Sequence, residues 1–198
     1  MTQDDAFAEE RQLPPGQRRS EEMRVVHYGR VPRIDLGRWQ LSITGATLDG
    51  TDHFLRWTDL SEMPQIKVTA DHHCVSRHSV FDVVWAGVPT SELVRLFPPA
   101  DDAAYALVSA AYGYSATVTV DDLSQPRALL ATSLNGESLT PERGWPARLV
   151  LPHLYGWKGP KWVLQIEYST EPVRGFWERQ GYHVTGDVWR EERYAHQE

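Results

Sequence analysis

The chain is broken too often by turn residues to hold long helices, and between the breaks it alternates. In "WQLSITG" (39–45), Trp39, Leu41 and Ile43 are set against Gln40, Ser42 and Thr44, the two-residue period of a strand with one buried face. Comparable runs recur: "IKVTA" (66–70), "FDVVWAGVP" (81–89), "YALVSAAYGYSATVTV" (105–120, broken near Gly113), "ARLVL" (147–151) and "KWVLQIEYS" (161–169). "ALLATSL" and "ESL" are joined by Asn135-Gly136, a pair that accepts the positive φ of a tight hairpin turn. Helical signals are few and short. Thr58 is a candidate N-cap inside "FLRWTDLSEM", and Thr90 or Ser91 caps "TSELVRLF". The pattern predicts a β-rich α+β fold, one domain over residues 23–198 with few short helices. Residues 1–22, ending in "LPPGQRRSEE", read as an extended N-terminal arm. The aromatic, charged tail "GFWERQGYHVTGDVWREERY" is unlike a flexible tail and is expected to pack back onto the body.

Charge and composition narrow the function. A net charge of −7 argues against a general nucleic-acid binder. No run of 18 apolar residues is present, so no membrane-spanning helix is expected. Arg18-Arg19 is followed by polar "SEEMRVVHYG" rather than by the apolar stretch of a twin-arginine signal, and the expected residence is cytoplasmic. Only Lys67, Lys158 and Lys161 are lysines against 17 arginines, so two of the three fall in the short stretch "YGWKGPK". The 8 tryptophans and 8 tyrosines suit either a heavy core or the wall of a deep pocket.

Cys74, in "DHHCVSRHS", is the single cysteine, which excludes an intramolecular disulfide framework. The residues leave four readings open. Free cysteine is often merely buried. Cys74 and His78 have a C-x3-H spacing, with His72 or His73 as a third zinc ligand, but no second Cys/His cluster completes a structural zinc site. A Cys–His nucleophile needs a histidine from elsewhere in the fold. Finally, a thiolate on a rigid strand end can be the one protein ligand to a redox metal whose other ligands come from its own cofactor.

Several segments together resemble one family. "HCV" after "VTADH", followed by "FDVVWAGVP", looks like the cysteine loop of the sulfite oxidase-type molybdopterin oxidoreductases. "LNGESLTPERGWPARLVLPHLYGWKGPKWVLQIEY" resembles that family's segment of form NGxPLPxxHGxPxRLVVPxxxGxKxxKW. "LPPGQ" and the tail beginning "GFWERQGYHVTG" are similar to the small soluble bacterial branch, which is itself similar to the methionine sulfoxide reductase catalytic subunit. The resemblance runs from about Leu13 to Tyr194.

The resemblance implies a molybdenum–molybdopterin cofactor with Cys74 as the metal ligand. It implies that Arg148, Lys158 and Lys161 hold the pterin's terminal phosphate, that Tyr114 stands beside a metal-bound or substrate oxygen, and that His153, His73, His72, His27 and Tyr28 touch the pterin or the metal's oxygens. Val26-His27 stands where sulfite oxidases carry a sulfite-binding arginine, and "VSRHS" replaces a glycine- and arginine-rich stretch, with Arg77 as the residue to compensate. The expected function is oxygen-atom transfer, with reduction of an S-oxide or N-oxide preferred over sulfite oxidation. The substrate is a small oxide or oxyanion. No haem, flavin or iron–sulfur motif is present, so electrons pass through a separate partner. The rivals are a non-catalytic pterin-binding module and a zinc or structural domain.

Overall fold

A computed structural model describes residues 12–198 of the protein. Among these residues the alternating segments form two sheets, and α-helix is confined to four short pieces. The first sheet is built on the long strand β5 (His78–Pro89). One edge of β5 pairs antiparallel with β4 (Ile66–Cys74). Its other edge is shared: β1 (Arg18–Arg19) runs parallel to the first residues, and β8 (Leu129–Leu134) runs antiparallel to the last. Beyond β8 lies β10 (Arg148–Val150), and β9 (Glu137–Ser138) closes the hairpin at Asn135-Gly136, both at positive φ. The second sheet has the order β3 (His53–Arg56), β2 (Gln40–Gly45), β11 (Val163–Ser169), β6 (Tyr105–Ala110), β7 (Ser115–Thr119), with β2 and β11 parallel. The β-rich α+β expectation is met.

Alternation explains how one sheet feeds two cores. On β8, Leu130 joins Leu41, Ile43, Val108, Val118 and Ile166 of the second sheet, whereas Leu129 and Ala131 face the other way, toward Val68, Val83 and Trp85. Leu149 and Val150 divide in the same manner on β10. The first sheet is thus buried on both faces over this stretch.

The helix starts differ from the expected caps. α1 (Trp57–Glu62) begins before Thr58, with Arg56 at the N-cap and its N–H donating to Asp59 Oδ2 at 2.7 Å. α2 (Thr90–Leu96) follows Pro89, and the Thr90 hydroxyl donates to Leu123 O instead of capping. α3 (Val120–Ser124) starts with a capping box in which the Thr119 hydroxyl accepts from Asp122 N at 3.0 Å and Asp122 Oδ2 accepts from Thr119 N at 2.8 Å. α4 (Phe176–Arg179) opens the C-terminal segment, which does pack back onto the body: Arg193 is buried and donates to Val75 O at 2.5 Å and to Pro15 O at 3.3 Å. The described part of the N-terminal arm lies along β5, with Arg18 N donating to Arg77 O at 3.0 Å and Ser20 N to Ser79 O at 2.8 Å.

Candidate active site

β4 ends at Cys74, and the side-chain period places His72 and Cys74 on one face and His73 on the other. The Cys74–His72 face looks into a cavity of about 380 Å³. His73 is turned away and buried, with Nδ1 at 2.8 Å from Ser79 Oγ. The sulfur of Cys74 accepts a hydrogen bond from Ser76 Oγ at 3.0 Å, and its carbonyl accepts one from Gln17 Nε2 at 3.1 Å. The ring of His72 packs against the turn at Gly156, where any Cβ would lie 2.4 Å from the ring. Burial and the cations Arg148 and Lys161 hold His72 far below its usual range, at about 3, so it is a neutral imidazole.

The same cavity is lined with cations. Arg143, Arg148 and Lys161 all reach it, and no Asp or Glu lines it among the described residues. The backbone brings two of them together, since Arg148 and Lys161 form an isolated antiparallel bridge. Arg148 is buried; its NH1 reaches Arg143 O only at 3.4 Å, and its Nε has no hydrogen-bond partner among the described residues. Lys161 Nζ donates to Val26 O and Glu142 O, each at 2.8 Å. Burial and then the neighbouring Arg143 push Arg148 down to about 10; burial, Arg148 and Arg143 push Lys161 down to about 7. Clustered cations without a carboxylate and a buried guanidinium with an unmet donor are groups arranged for an anion.

Aromatic rings form much of the remaining wall: Trp157, Trp162, Trp177, Tyr182 and Tyr114. The Tyr114 hydroxyl donates to Trp157 O. Burial, reinforced by Glu178, raises the Tyr114 pKa far above the usual phenol value, so the proton stays on. His27 and Tyr28 lie on an exposed stretch, 23–28, that borders the cavity; His27 meets Trp162 edge-on and Tyr28 packs on Phe176.

The structure therefore gathers Cys74, His72, Tyr114, Arg148, Lys161, His27 and Tyr28 around one space. Four other expected residues do not line it. Lys158 is fully buried in an ion pair with Glu178 (2.9 Å) and donates to Val184 O, because the single 3-10 turn at 156–158 sends its side chain toward α4. His153 is held 2.8 Å from Asp122 by the α3 capping turn. Arg77, at positive φ, points toward the C-terminal segment and pairs with Glu191 at 3.4 Å. His73 has the wrong strand parity. Conversely, Arg24, Arg143, Ser76, His78 and the tryptophans line the cavity without having been singled out for it. Of these, Arg143 carried a readable signal, since it lies in the same motif as Arg148.

A phosphate-terminated pterin with a thiolate-seeking metal fits this donor set. Arg143, Arg148 and Lys161 match the anion, the aromatic walls match a flat heterocycle, and Cys74 offers the one soft sulfur. Structural zinc does not fit: among the described residues, no three His, Cys, Asp or Glu side chains converge to hold a metal ion.

Comparison with known proteins identifies the family and a similar fold. The family model for the oxidoreductase molybdopterin binding domain matches residues 28–177. The chain is 37% identical over 186 residues to the uncharacterized oxidoreductase YuiH of Bacillus subtilis, covering 92% of each. It is 28% identical over 162 residues to the putative protein-methionine-sulfoxide reductase subunit YedZ1 of Azospira oryzae, covering 81% of this chain and 61% of that one. The fold is similar to that of the sulfane dehydrogenase SoxCD from Paracoccus pantotrophus, with a TM-score of 0.65 and 21% identity over 72% of this chain and 41% of that chain.

Proposed function

The chain belongs to the oxidoreductase molybdopterin binding domain family, and from that premise we propose that it transfers oxygen atoms at a molybdenum centre ligated by Cys74, acting as a reductase of a neutral S-oxide or N-oxide. Members of the family are enzymes and bind molybdopterin. The observation that carries the finer reading is one cavity lined by a lone thiol, a phenol whose pKa burial holds far above its usual value, and a cluster of cations, with no Asp or Glu in that lining among the described residues.

When bound, the molybdenum–pterin group supplies two-electron oxygen-atom transfer. Arg143, Arg148 and Lys161 bind its terminal phosphate, and the aromatic walls of Trp157, Trp162 and Trp177 keep water from the space beside it. Cys74 would fix the metal through one sulfur at the end of β4, which pairs antiparallel with β5. Tyr114 orients the substrate: its hydroxyl, which donates to Trp157 O, is able to donate instead to an oxide oxygen. His72, neutral beside the cations, adds a second hydrogen-bonding edge without competing for the anion. Electrons reach the centre from a separate protein.

Support for an oxide substrate comes from two features: Val26-His27, which line the cavity, supply no fixed charge, and Arg77 is engaged with Glu191 outside it. It also comes from the similarity to a relative named as a putative protein-methionine-sulfoxide reductase subunit. Sulfite oxidation is the second reading, favoured by one observation: the exposed Arg24 borders the cavity and offers a charge for an oxyanion. Steady-state assays separate the two. Reduction of S-oxides or N-oxides with an artificial donor, insensitive to Arg24→Ala, is the expected result. Efficient sulfite oxidation that collapses in Arg24→Ala, with no oxide reduction, would replace this reading by the second.

A further inference from the structure

The row of residues across the end of the first sheet carries an arrangement that the cofactor reading does not use. Cys74 is the register partner of His78, and His78 is the register partner of Arg18. Directly opposed residues on adjacent strands project to the same face, so the three side chains stand side by side. Ser76, in the turn between β4 and β5, closes the gap. Ser76 Oγ lies 3.0 Å from Cys74 Sγ and 3.3 Å from His78 Nδ1, and His78 Nε2 lies 3.1 Å from Arg18 NH2.

The direction of each bond follows from one end. A guanidinium only donates, so His78 Nε2 accepts from Arg18. The ring is then the neutral tautomer with its proton on Nδ1, and that proton points at Ser76 Oγ. Ser76 Oγ accepts from His78 and has its own proton left to give, and the acceptor in reach is the Cys74 sulfur. The set runs in one direction, Arg18 to His78 to Ser76 to sulfur. We propose that Ser76, oriented by His78 and Arg18, is a positioning residue that holds a hydrogen bond on the Cys74 thiolate and thereby sets the potential of the metal. This rests on the reading of Cys74 as the ligand.

The physical reason is charge. A hydrogen bond to a ligating sulfur withdraws electron density from it, which favours the electron-rich reduced metal and raises the potential. The backbone supplies the precision. Arg18 N donates to Arg77 O at 3.0 Å and Arg77 N to Cys74 O at 3.0 Å, so donor and acceptor strands are tied on both sides of the turn. Arg18 and Ser76 are exposed, so the set makes little difference to stability and its effect is read at the metal.

The test is spectroelectrochemical titration of the purified holoprotein with its electron paramagnetic resonance spectrum, both recorded without turnover. Ser76→Ala should lower the midpoint potential and change the spectrum. Ser76→Thr, which keeps the hydroxyl, should restore both, and His78→Phe should shift the potential in the same direction as Ser76→Ala by a smaller amount. Cys74→Ser is the control that keeps the two readings apart. If Cys74→Ser changes the spectrum while Ser76→Ala and His78→Phe leave potential and spectrum at wild-type values, the positioning role is wrong and the ligand assignment stands. If Cys74→Ser changes nothing, both are wrong. Should Ser76→Ala fail to load cofactor, the Ser76→Thr and His78→Phe pair still decides: equal wild-type potentials in both overturn the proposal.

Discussion

Lys161 is the residue on which the anion site turns. Buried beside Arg148 and Arg143, its ammonium is held down to about 7, against an ordinary 10.5. An incoming anion favours the charged form, so binding takes up a proton at Lys161 wherever the free group is partly neutral. Sulfate, whose charge is constant over this range, should therefore bind the cofactor-free protein more tightly as pH falls through about 7 and more weakly as it rises. Calorimetric titration across that window should show the slope in the wild type and a weaker, flat profile in Lys161→Met. Loss of one charge-assisted bond of about 1.5–3 kcal/mol corresponds to roughly ten- to a hundredfold in affinity. Stability carries the opposite sign. In the free protein the lowered pKa means that the unfolded chain binds the extra proton between about 7 and 10.5, so this group's contribution to stability rises with pH across that interval.

At the scale of elements, the 3-10 turn at 156–158 separates two lysines that the sequence places three apart. Lys161, beyond Gly159-Pro160, reaches the cavity, whereas Lys158 crosses to Glu178 on α4. Removing Lys158 leaves a buried carboxylate unpaired, which typically costs about 3–5 kcal/mol. Lys158→Met should accordingly lower the urea midpoint sharply while each folded molecule still retains its cofactor; the double variant with Glu178→Gln should recover part of the loss. Normal stability with lost cofactor would return Lys158 to the anion site. The strands were legible because their alternation is a property of neighbouring residues, as in Trp39-Leu41-Ile43 or the Asn135-Gly136 hairpin. Even the parity that separates His72 from His73 was present in the sequence. The partners of Lys158, His153 and Arg77 were not, since Glu178, Asp122 and Glu191 lie 20, 31 and 114 positions away and are chosen by packing. The caps were misplaced for two reasons: at α1 the Arg56 N–H donates to nearby Asp59, and at α2 packing turns the Thr90 hydroxyl to Leu123, 33 positions away.

At the scale of the molecule, segments far apart in the chain meet behind the cysteine. Arg193 joins the C-terminal segment to Val75 O and Pro15 O, and Gln17 joins the arm to Cys74 O. Arg193→Ala should speed amide exchange at residues 75–77 and near Gln17 without changing exchange in the second sheet; unaltered exchange at the turn would mean that β4 and β5 hold it unaided. All of these contacts fix the position of a single sulfur, and the account is centred on that atom. The most direct test is X-ray absorption at the molybdenum edge of the purified holoprotein, wild type against Cys74→Ser. The prediction is bound molybdenum with one sulfur ligand fewer in the variant. The same number of sulfur ligands in both proteins, or zinc in place of molybdenum in the wild type, would contradict it.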